Sequence, residues 1–176
     1  MNADVVRPFA PAFVLALCAV LLGQGIGIAF GAAEETLKGS LKADAELVLA
    51  TTYGGDAAKA KAVVDKSWVY YQRAHLHAGA LGTFALVFAL LLALIPGHLL
   101  LRRACAAGVS VGAFGYGSFW LWAGMRAPGL GSTGAAKESL TWLAWASSGL
   151  LVGGTLFGLA LTAMALRRRA DESVSS

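Results

Sequence analysis

The chain has 176 residues, 57% of them hydrophobic and 14% charged, with a mean hydropathy of +0.66. That balance excludes a water-soluble domain with a polar exterior and points to hydrocarbon as the solvent, hence to an integral membrane protein. The net charge of +4 sits largely in short arginine clusters at helix ends, so it reports membrane orientation and argues against nucleic-acid binding.

Four stretches are long enough to cross a bilayer, which takes roughly 20 apolar residues. They cover about 9–33, 68–95, 104–125 and 140–166, and predict an all-α, polytopic four-helix membrane bundle forming a single domain over 1–176. The first resembles a signal peptide in its GAA before Glu34, but its apolar run is longer than the usual ~7 to 15 residues and only Arg7 precedes it. A retained first helix is expected. Cys18 and Cys105 each fall inside an apolar run and are read as small core residues.

Basic residues set the orientation. Arg7 precedes the first helix, Arg102 and Arg103 follow the second, and Arg167, Arg168 and Arg169 follow the fourth, so with four crossings all share one side. The positive-inside rule makes that side cytoplasmic and puts both termini there. In a bacterium this is an inner-membrane protein with residues 34–67 in the periplasm.

That outer segment is expected to be a helical hairpin. Leu37, Leu41, Ala45 and Val48 recur at helical spacing among charged residues, Tyr53-Gly54-Gly55 supplies a turn, and DAAKAKAVVDKS reads as a second polar helix running into Trp68. Within the apolar runs, Gly23, Gly27 and Gly31 form a GxxxGxxxG stripe. Gly108, Gly112 and Gly115, then Gly149 and Gly153 or Gly154 and Gly158, repeat the device. These are packing faces within one bundle or between chains. GQGIG is not a dinucleotide fingerprint, since no strand precedes it.

The outer helix ends collect the unusual chemistry. All five tryptophans map there with Tyr53, Tyr70, Tyr71 and Tyr116, beside Glu34, Glu35, Arg73, His75, His77, Met125 and Arg126. Gln24 and Glu35, eleven residues apart, are expected on one helix face with Gly27 and Gly31. In RAHLHAG, residues 73–79, the two histidines lie about 200° apart on a helix and therefore cannot easily grip one metal together. Three uses remain open. His75 or His77 ligates a transition metal, copper or zinc, with Glu34 or Glu35. One histidine is an axial haem ligand. Or the cluster is structural, with Arg73 paired to the glutamates.

RAHLHAGALG resembles the start of the second membrane helix in small relatives of haem-copper oxidase subunit I. There an arginine and HxH precede a glycine, and one histidine binds low-spin haem. The resemblance covers about ten residues. It implies haem b held by His75 or His77 near Arg73; within one chain the sixth ligand would have to be Met125, and otherwise two chains would each donate a histidine. His98 lies 23 residues, roughly 35 Å of helix, from His75 and cannot complete that site.

No Ser/His/Asp set, phosphate loop or redox cysteine pair is present, so no catalytic residues are assigned and enzyme activity is not expected. Two functions follow. One is a membrane protein binding haem b or a transition metal at its outer end. The other is an accessory or assembly subunit without a cofactor, docking by its glycine stripes and hairpin. Its partners are the lipid bilayer and either further copies of itself or a larger membrane complex.

Overall fold

The computed structural model describes residues 3–175, and among them there is no strand. Four long helices carry the fold: α1 (Ala10–Leu47), α2 (Ala57–Leu94), α3 (Leu99–Arg126) and α4 (Thr141–Ser175). Each contains a window long and apolar enough to cross a membrane. The order of helices is that expected from the apolar runs, but α1 and α2 are longer because each continues without a loop into the hairpin over 34–67.

Helices α1, α2 and α3 each touch the other two, whereas α4 packs chiefly on α3. The core is built from small residues: Ala12, Ala16 and Ala19 of α1 meet Ala85, Ala89 and Leu92 of α2 and Ala106, Val109 and Ala113 of α3. Between apolar helices, close backbone approach and dispersion supply the attraction, so alanine and glycine serve better than bulk. A Cβ on Gly23 would stand 2.5 Å from the Gly79 nitrogen, and one on Gly112 would stand 2.6 Å from the Ser147 carbonyl oxygen. Not every glycine is used in this way. Gly31, Gly149 and Gly153 meet no atom within 4 Å, whereas Gly108, Gly112 and Gly115 all lie against α4.

The hairpin follows its sequence signals. Gly54 and Gly55 take φ of +63° and +80°, which a side chain would resist, and the Asp56 side chain caps α2 by accepting the Lys59 N–H at 2.9 Å. Leu41 is buried on one arm, and Ala45 packs with Tyr53 and Ala60. One feature was not expected: α1 kinks at Ala33 (φ −145°, ψ 27°). Gly31 weakens the helix there, and Glu34 and Glu35 favour a fresh N-terminus, whose dipole they complement. Helical phase is therefore not continuous across Ala33.

Two polar contacts fix the ends. The Tyr53 hydroxyl donates to the Pro128 carbonyl at 2.7 Å, tying the hairpin tip to the loop between α3 and α4. Burial raises the Tyr53 pKa above its ordinary 10.0. At the other end Arg102, read from sequence only as an orientation mark, donates to the carbonyls of Leu92 (3.0 Å), Ala93 (3.3 Å) and Ile95. It caps α2, whose last carbonyls have no helical partner.

Candidate functional site

His75 and His77 leave α2 in opposite directions, as helical geometry predicts. His75 turns to α1, where its Nδ1 lies 2.7 Å from the Gly23 carbonyl oxygen. Its ring occupies the space above Gly27, so closely that a Cβ there would stand 2.6 Å from Cε1, and Phe30 meets it edge-on at 5.8 Å. His77 turns to α3. Its Nδ1 lies 2.8 Å from the Arg73 carbonyl oxygen, one turn back, and its ring stands 5.2 Å from Tyr116 and 6.1 Å from Trp120. A carbonyl only accepts, so each Nδ1 carries the hydrogen, and in the neutral ring each Nε2 keeps the lone pair.

Arg73 is not paired with a glutamate, contrary to the structural expectation. Its guanidinium lies over the faces of Trp120 (4.8 Å) and Tyr70 (5.6 Å) and makes no ion pair among the described residues. The charge is held by the negative face of the rings instead. Glu34 pairs with Lys38 one turn on, and Lys38 also sits 5.0 Å above Trp68. Adjacent residues on one helix outcompete a residue on another, because no chain has to be ordered to bring them together.

No group of three or more His, Cys, Asp or Glu that could hold a metal ion occurs among the described residues, Glu34, Glu35, His75 and His77 included. Met125 is half exposed near the end of α3, and the ring contacts of both histidines are to other residues. The five tryptophans do not converge either. Trp68 and Trp120 join the two histidine clusters, while Trp122, Trp142 and Trp145 turn outward at 46%, 64% and 76% exposure. Sharing a level along the helices did not mean sharing a face. Gln24 is likewise exposed and makes no hydrogen bond among the described residues, and the kink at Ala33 removes its expected alignment with Glu35.

A concavity lies elsewhere, at the hairpin. A groove of about 690 Å³ runs between the hairpin arms, with Leu41, Ala45, Ala60 and Val64 along its floor and Trp68 at its foot. Its rim carries charges of both signs, paired within each arm as Lys42–Glu46 (3.6 Å) and Lys61–Asp65 (2.6 Å). The hairpin is legible in the sequence, but the groove is not. The signal was present in Ala45 and Ala60, which bring the arms together without filling the space above them. Compared with known proteins, the chain matches no family model, no curated protein and no solved structure.

Proposed function

We propose that this chain is a four-pass membrane protein serving as an accessory subunit of a larger membrane complex, with its hairpin groove receiving a helical segment of a partner. The groove carries this reading. Its apolar floor, charged rim of no net sign and helical walls match the needs of an amphipathic helix laid between two others. The four apolar helices support membrane insertion, and Arg7, Arg102, Arg103 and the arginines from 167 support a cytoplasmic side for their shared end. The hairpin then stands on the outer side, the periplasm if the source is a bacterium.

Gly39 tests the groove directly. It lines the groove, and a Cβ built there meets nothing within 4 Å, so Gly39→Trp fills the space without disturbing the chain's own packing. Wild type purified in mild detergent is expected to bring a larger complex with it, and Gly39→Trp to lose that complex while remaining folded. Equal recovery by both rejects the groove.

A second reading, haem b ahead of copper or zinc, is supported by the two Nδ1 contacts. A backbone carbonyl that holds Nδ1–H orients the ring and leaves Nε2 as a ligand atom. His75 and His77 would serve separate sites, one ligand each. A visible spectrum with metal analysis on the same sample decides it: a Soret band or stoichiometric metal that His75→Ala or His77→Ala removes supports the reading, and absence of both rejects it.

A further inference from the structure

Gln24 is out of place for the surface on which it lies. It falls nine residues before the kink at Ala33, about 14 Å along α1 at 1.5 Å per residue, and so well inside the apolar window. Its neighbours on the outer face are Leu17, Leu21 and Ile28, exposed by 48%, 63% and 71%. The carboxamide is exposed among them and makes no hydrogen bond among the described residues. Water could satisfy it on a soluble protein, but a bilayer core offers none, and an amide left unpaired in hydrocarbon is costly.

Beside this residue the surface is notched. A crevice of about 390 Å³, bordered by Gly25, Leu22, Ile26 and Leu121 with Tyr71 at its side, opens between α1 and α3. A Cβ on Gly25 would meet nothing within 4 Å, so the notch is not closed from within the chain. The face therefore offers a hole for an apolar knob and, next to it, a group with one acceptor and one donor end.

We propose that this face binds a second copy of the chain, α1 against α1, with the two Gln24 carboxamides hydrogen-bonded to each other. A carboxamide is its own complement: across a two-fold axis along the membrane normal, each oxygen accepts from the other amide, and both groups are satisfied at once. The same axis brings each residue of α1 near its own counterpart. Ile28 of one copy then has the notch of the other, which Leu21 also borders, within reach. Interfaces between membrane helices are built in this way, from small residues that allow approach and polar side chains that bond across. The inference is separate from the hairpin groove at the far end of α1, although it rests on α1 crossing a bilayer. Resistance to alkaline carbonate extraction tests that premise on its own.

The test uses full-length chain in lipid bilayers of phosphatidylethanolamine and phosphatidylglycerol, with dimer fraction read by energy transfer between labelled copies across a range of protein-to-lipid ratios. Gln24 is exposed and makes no hydrogen bond among the described residues, so Gln24→Leu is expected to leave folding intact and to weaken association by roughly tenfold, with Gln24→Asn restoring much of it. Separately, Ile28→Cys in a Cys18→Ser, Cys105→Ser background is expected to form a disulfide-linked dimer on mild oxidation, and Leu156→Cys on α4 is not. A wild type that stays monomeric in bilayers, or a Gln24→Leu variant that dimerises like wild type, overturns the proposal. So does pairing through Leu156→Cys in preference to Ile28→Cys.

Discussion

Replacing Gly23 by alanine places a methyl group 2.5 Å from the Gly79 nitrogen, 2.9 Å from the Gly79 Cα and 3.0 Å from the His75 carbonyl oxygen. All three are backbone atoms of α2, so no side chain can swing aside and the two helices must separate. Overpacking of this kind costs about 1–3 kcal/mol. Separation also strains the 2.7 Å bond from His75 to the Gly23 carbonyl, worth about 1 kcal/mol. Against this, alanine is better than glycine in a helix by about 1 kcal/mol. The net loss is about 1–3 kcal/mol, which for a chain of this length lowers the melting temperature by roughly 2–12 °C. Gly149→Ala is the matched control, also a membrane-helix glycine and meeting nothing within 4 Å. Melting of the two variants in one detergent gives the comparison, and Gly23→Ala melting at or above Gly149→Ala would refute the close α1–α2 contact.

Tyr53→Phe removes the bond to Pro128 and is expected to cost about 1 kcal/mol, measured by unfolding at neutral pH. The same residue has an alkaline signature. Because burial raises its pKa, its contribution is complete below the ordinary value of 10.0 and is lost as pH rises from there through the folded value. Wild type should therefore lose stability relative to Tyr53→Phe across that window, and parallel pH curves would contradict the burial. Arg102→Gln strips the cap from the Leu92, Ala93 and Ile95 carbonyls and should destabilise by about 1–2 kcal/mol, whereas Arg103→Gln, an exposed residue, should change stability by less than about 0.5 kcal/mol. Equal effects from the two would show that charge rather than capping matters. His77→Phe keeps a ring against Tyr116 and Trp120 and is expected to leave the fold intact, while His75→Ala opens space above Gly27 and lowers the melting temperature.

Apolar run length was enough to find all four helices, and the Tyr53-Gly54-Gly55 turn with its flanking periodicity was enough to find the hairpin. These are local signals, carried by consecutive residues. The division of His75 and His77 between α1 and α3 was also legible, because residues two apart on a helix must diverge. What sequence could not supply was which face meets which neighbour. Trp122, Trp142 and Trp145 share a level with the histidines but not a direction. Arg73 found aromatic faces on α2 and α3 rather than a carboxylate, since Glu34 had Lys38 on its own helix. The alignment of Gln24 with Glu35 assumed an unbroken helix, and the backbone at Ala33 breaks it. The groove was hidden for a related reason: a cleft is defined by the absence of side chains between two segments, and only their relative placement reveals it.

The hairpin groove is the proposed docking site for a partner helix. Mass measurement of the wild-type chain and Gly39→Trp, extracted side by side in mild detergent, tests this most directly. Wild type is expected as a larger assembly, with a partner that cross-links to position 39 when a photoreactive residue replaces Gly39, and Gly39→Trp is expected to lose that assembly. A solitary wild-type particle, or an assembly that survives Gly39→Trp unchanged, would contradict it.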